Sequence, residues 1–91
     1  MNYLHTRFQA GPEDSVEVSL DNQANVMILD DNNFHNYLKG REYDFIGGRV
    51  NVTPYRLSPP HFGKWNLVVD LGGRTGRVRA GYRILKHSQV N

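Results

Sequence analysis

The chain contains no cysteine. That excludes disulfide staples, cysteine nucleophiles and thiolate zinc sites, and it agrees with a reducing compartment. Long apolar runs are also missing: no stretch approaches the ~20 residues of a membrane-spanning helix. The opening "MNYLHTRFQA" has neither the apolar region nor the cleavage site of a secretion signal. The expectation is a cytoplasmic protein without a membrane partner. Acidic side chains are scarce in the second half, where residues 46–91 hold Asp70 alone against eight lysines and arginines, while residues 1–45 hold eight acids against Arg7, Lys39 and Arg41. The four histidines, His5, His35, His61 and His87, lie in four separate segments without H-x-H or H-E-x-x-H spacing. No metal site and no cofactor are expected.

What is present is alternation. With 91 residues, one domain spanning 1–91 is expected, and period two dominates it. "YLHTRFQ" puts Leu4, Thr6 and Phe8 on one face, and "SVEVSLD" puts Val16, Val18 and Leu20 opposite Glu17 and Asp21. "NVMILDD" is continuously apolar, as a strand covered on both faces would be. Its cover is at hand in "DDNNFHNYLKG". There Asp30 to Asn33 offer helix caps, Phe34, Tyr37 and Leu38 share a helical face, and Gly40 can end the helix. The spacing predicts a short helix near residues 32–39. "EYDFIGG", "RVNVTPYRL", "KWNLVVDL" and "GRVRAGYRIL" read as further strands, parted by turns at Gly47-Gly48, Ser58-Pro59-Pro60 and Gly72-Gly73. The fold class is therefore all-β in the main, an antiparallel β-sandwich or jelly-roll-like domain of about seven strands with one short helix.

The stretch "GKWNLVVDLGGRTGRVR" carries the densest chemistry. Trp65, Leu67, Val69 and Leu71 share one face, so the tryptophan reads as a core anchor. Its glycines lack both the G-x-x-x-x-G-K-[S/T] pattern and a following helix, so a phosphate loop is not indicated. Gly72, Gly73 and Gly76 are expected to make a tight hairpin. In the strand that follows, Val78, Ala80, Tyr82 and Ile84 alternate inward, which sends Arg77, Arg79 and Arg83 outward, with Arg74 in the preceding turn. These arginines are the candidate ligand-binding residues, for an anionic small molecule or an acidic protein surface; the competing reading is a solvated face paired with Glu17 or other acids. Asp70 joins them either as a buried carboxylate paired with Arg74 or Arg77, or as a general base. Tyr55 and the loops beside Trp65 are secondary candidates. Asp30 and Asp31 lack calcium-loop spacing and read as helix caps. No nucleophile with its base can be assembled, so no catalytic residue is assigned and no enzymatic activity is expected.

"NVMILDDNNFHNY", Gly47-Gly48, "GKWNLVVDLGG" and the arginine-bearing last strand, taken in that order from "YLH" to about Leu85, resemble the bacterial domain-of-unknown-function family eighteen-eighty-three. The resemblance implies a compact β-sandwich, found alone or attached to signalling domains of the TIR type, and it brings no catalytic residue. Since this sequence ends six residues past Leu85, an effector is expected on a separate chain. The function expected is a non-catalytic binding or interaction module. The alternatives are a homo-oligomer in which acidic N-terminal surfaces meet basic C-terminal ones, and a weak nucleic-acid binder, disfavoured by the formal net charge of +2 and by the lack of aromatic residues interleaved with the basic stripe.

Overall fold

The computed structural model describes residues 3–51 and 53–86. In chain order they form β1 (Tyr3–Ala10), β2 (Ser15–Leu20), β3 (Ala24–Asp30), α1 (Asp31–Leu38), β4 (Ile46–Val50), β5 (Tyr55–Leu57), β6 (Gly63–Asp70) and β7 (Ala80–Leu85). The strands make two antiparallel sheets, one ordered β1-β6-β3-β4 and the other β5-β2-β7. Among the described ladders only β3 with β4 joins consecutive strands. Every other pairing brings together segments far apart in the chain.

Alternation decides which side chains meet. Val16 and Val18 of β2, Val26 and Ile28 of β3, and Leu67 and Val69 of β6 point into the space between the sheets and form the main core. The opposite residues of the four-stranded sheet, Met27, Leu29 and Val68, pack under α1 against Tyr37, with Phe34 and Tyr43 at the margin. This explains why "NVMILDD" reads as apolar without a break: both of its faces are covered. Asp30 caps α1 by accepting from the Asn33 N–H at 2.8 Å. Leu38 departs from the expected apolar stripe, since it is 44% exposed while Tyr37 is buried; eight residues of helix turn one face only toward the sheet.

Four segments differ from expectation. Glu42–Phe45 is irregular rather than strand, and Gly47-Gly48 lies inside β4 instead of ending a strand. "RVNVTPYRL" is divided between sheets, because its first part pairs with β3 and its last part with β2. Pro54, which has no N–H to donate, stands in the crossing; Val52 lies outside the described residues. Gly72 to Gly76 do not make a hairpin, since β6 and β7 belong to different sheets. They carry the chain from one sheet to the other, and β7 starts only at Ala80.

Candidate functional site

The loop of residues 71–79 is tied down at its backbone. Asp21, at the end of β2, accepts from the Arg79 N–H at 2.6 Å and donates its own N–H to the Arg79 carbonyl at 3.2 Å. The Asn22 amide donates to the Arg77 carbonyl at 3.3 Å. Arg74 folds back, its Nε donating to the Leu71 carbonyl at 3.2 Å and its terminal nitrogen to the Gln23 carbonyl at 3.4 Å. The polar turn Asp21-Asn22-Gln23 thus holds the glycine loop in place. The guanidiniums of Arg77 and Arg79 have no ion-pair or hydrogen-bond partner among the described residues.

Both of these arginines line a cleft of about 520 Å³ whose other walls include Tyr3, Leu4, Val69, Leu71 and Val78, together with the carboxylates of Asp21 and Asp70. It opens where β1, an edge of the larger sheet, faces β7, an edge of the smaller one. A smaller apolar cleft of about 220 Å³, lined among others by Leu4, Val18, Leu67, Val69, Ala80 and Tyr82, adjoins it. Leu4 and Val69 stand in the walls of both.

The expected arginine stripe is therefore broken up. Arg83 is the one that sits on the outer face of a strand, and there it lies opposite Glu17. Its Nε donates to Glu17 at 2.8 Å, and Arg56 holds the other carboxylate oxygen at 2.9 Å from the far side. Hydrogen bonds from Arg83 first and Arg56 second hold the Glu17 carboxyl below its ordinary range. Arg83 is thus paired with Glu17, the partner that the solvated-face reading names. Arg74 is occupied by backbone carbonyls, and Arg77 and Arg79 precede the strand, because the chain at 77–79 is still crossing between sheets. Tyr55 lies on β5, the opposite edge of the smaller sheet from β7, and Trp65 is buried with its indole N–H donated to the His61 carbonyl at 3.2 Å. Neither reaches the cleft.

Asp70 is buried, as expected, but no arginine pairs with it among the described residues. Its donors are the Tyr37 hydroxyl at 2.6 Å, the Asn25 amide at 2.9 Å and the Gly72 N–H at 2.9 Å. Gly72 is in the left-handed region at φ +64°, and an added Cβ there would lie 2.7 Å from the Asn25 amide nitrogen. Asp70 therefore acts as a knot joining β6, β3, α1 and the start of the arginine loop. Burial, and secondarily the bond to Asp70, raise the Tyr37 hydroxyl above the ordinary tyrosine range.

A second polar network lies under α1. Buried Asn66 accepts from, or donates to, nothing apolar: its oxygen meets His5 Nε2 at 2.8 Å, and its amide donates to the Leu29 carbonyl at 3.2 Å and to Asp31 at 2.8 Å. The Arg7 Nε also donates to Asp31, at 3.1 Å. Arg7 first, then Asn66, bring the Asp31 carboxyl down to about 2. A carboxyl depressed in the folded state adds stability that is complete above its ordinary value near 4 and disappears as pH falls toward 2. The gap in urea midpoint between wild type and Asp31→Asn should accordingly narrow across that interval. A gap that stays constant from pH 5 to pH 2 would show that Asp31 does not act through its charge. Since both partners are half exposed, added salt should shrink the gap.

Among the described residues no group of three or more histidine, aspartate or glutamate side chains is placed to hold a metal ion; His87 lies outside them. Among the described residues no helix is long and apolar enough to cross a membrane. Leu4, Asp21 and Val78 as parts of the cleft, and Asn22 as a tie on its loop, are not indicated by the sequence. The turn "DNQ" was visible, but nothing local says which loop it will hold.

The family model of a domain of unknown function, DUF1883, matches residues 1–88. No curated protein and no solved structure matches the chain.

Proposed function

The chain belongs to the DUF1883 family, and from that premise we propose that it is a non-catalytic binding module whose ligand carries an anionic group held by Arg77 and Arg79. The observation that carries this reading is the contrast within one loop. Its backbone is fastened at Arg77 and Arg79 by Asp21 and Asn22, while the two guanidiniums lack partners among the described residues and both arginines line a cleft. A guanidinium offers five N–H donors in a fork that matches a carboxylate or phosphate. Fixing the backbone lowers the ordering cost of presenting two of them together. The carboxylates in the same walls accept from other donors, Asp70 from three and Asp21 from the Arg79 backbone, and neither is ion-paired with the two guanidiniums among the described residues. Work in the cytoplasm, and transmission to a signalling partner of the TIR type, belong to the same proposal and rest on the family resemblance and the lack of cysteine.

The test is an amide NMR titration with inorganic phosphate, a mononucleotide, a uronic acid and a phosphopeptide, at low and near-physiological salt. Shifts are expected around residues 76–80 for at least one of these and should survive the salt. The double variant R77A/R79A should weaken that binding by about tenfold or more, the equivalent of losing one charge-assisted hydrogen bond. R83A should leave it unchanged. Binding undiminished in R77A/R79A would overturn the assignment. Self-association through acidic and basic surfaces draws less support, because Glu17 and Asp14 already pair within the chain with Arg56, Arg83 and Lys86.

A further inference from the structure

The seam between β1 and β7 has more to offer a ligand than two cations. We infer that the ligand is a single-chain anionic amphiphile, with its carboxylate or phosphate head on Arg77 and Arg79 and its alkyl chain in the adjoining apolar cleft. This rests on the anion reading above and narrows it to a ligand class.

Three observations lead there. The smaller cleft reaches down to the main core, where Val18 of one sheet and Leu67 of the other, 0% and 3% exposed, close its floor, so an alkyl chain goes deeper by parting the seam. It meets the arginine-lined cleft at Leu4 and Val69, so a head bound at the arginines leaves a chain pointing between the sheets. At its rim, Leu4 and Tyr82 are 46% and 51% exposed, apolar surface that an anionic head alone would leave in water. Its polar groups are few: the Thr6 and Tyr82 hydroxyls, 3.1 Å apart and bonded to each other, and the His5 side, whose ring nitrogen already meets Asn66. An alkyl chain needs no hydrogen-bond partner from side chains such as these. The Thr6–Tyr82 contact joins the two edge strands through one neutral, exposed hydrogen bond, a link weak enough to part when a chain enters.

The experiment is calorimetric and NMR titration of the whole chain with acetate, hexanoate, octanoate and decanoate, each kept below its micellar concentration, beside inorganic phosphate. Affinity is expected to rise with chain length by up to about fourfold per methylene that enters, and amide shifts should spread from residues 76–80 to Leu4, Leu67 and Tyr82. In A80F, which fills the apolar cleft, decanoate should fall to the affinity of acetate while phosphate is unaffected; the wild-type length series decides the matter if that variant does not fold. If all carboxylates bind alike, at the level of phosphate, the amphiphile is excluded and the anion site stands. If neither carboxylates nor phosphate bind, both readings fail together. Decanoate held equally by R77A/R79A would remove the arginines as the head site. Binding to vesicles of anionic phospholipid but not to free decanoate would overturn the inference in favour of a membrane surface.

Discussion

Replacing Asp70 by alanine should lower the unfolding free energy by on the order of 3–4 kcal/mol, which for a domain of this size corresponds to a fall in Tm of roughly 12–32 °C. The size follows from what is left behind. The Tyr37 hydroxyl is buried under α1 and loses its acceptor, and the Asn25 amide and Gly72 N–H lose theirs at the rim. Leaving a buried donor unsatisfied costs about 1–3 kcal/mol. Asparagine should be far milder, near 1 kcal/mol. Its oxygen can still accept from Asn25 and Gly72, and its amide can donate to a Tyr37 hydroxyl turned to accept. Urea unfolding of the three proteins, with a common m-value, checks both numbers. An alanine variant within about 1 kcal/mol of wild type would mean that Asp70 is not the knot described. The same site gives a pH signature. The Tyr37 hydroxyl is held above its ordinary value, so the folded state resists its ionisation, and the stability it adds should decline as pH rises past about 10. Tyr37→Phe should flatten that decline.

Gly47→Ala should be at least as damaging, at about 4 kcal/mol or more, or should detach β4 altogether. A Cβ placed on Gly47 would lie 2.1 Å from the Val26 carbonyl oxygen, 3.2 Å from its carbon and 3.3 Å from the Met27 Cα. All of these are backbone atoms of β3, the strand that β4 pairs with, so no side chain can swing aside. The backbone is also at φ +121°, which side-chain-bearing residues rarely adopt. Gly48 separates the two effects: its φ of +152° is unfavourable as well, yet nothing lies within 4 Å of an added Cβ. Gly48→Ala should therefore cost only the backbone term, about 1–3 kcal/mol. Urea midpoints and amide exchange across β3 and β4 would compare the pair. Equal losses would show that the close approach to Val26 is unimportant.

These two residues also mark where sequence reading succeeds and where it stops. Gly47-Gly48 is conspicuous in the sequence and invites a turn, because glycine is the usual residue for positive φ. The structure uses the same freedom inside a strand, for close contact with a neighbouring backbone. Asp70, the lone acid of a basic half, invites an arginine partner. Its actual donors come from residues 25, 37 and 72, and their convergence depends on β6 lying beside β3 with α1 above both. For the arginines the error came from a boundary. Alternation extended back to residue 76 puts Arg77, Arg79 and Arg83 in one row, but the strand begins at Ala80. The first two therefore belong to a loop that faces a cleft, and the third to a sheet face that already holds Glu17.

By itself the sequence determines the face each strand residue takes, the strand covered on both sides, the helix that covers it, the family, and the mainly antiparallel class. The family rests on motifs spread over nearly the whole chain; the others follow from spacing within ten residues or so, since a period of two or of 3.6 is a property of the local backbone. Only the tertiary structure decides that β1 lies beside β6 and β2 beside β5 and β7. It thereby decides that Glu17 neutralises Arg83, that Asp70 ties a helix to a loop, and that the seam between β1 and β7 stays open beside Arg77 and Arg79. Pairing partners come from packing two sheets around one core, and that choice is made between segments separated by up to 70 residues, where no local period can reach.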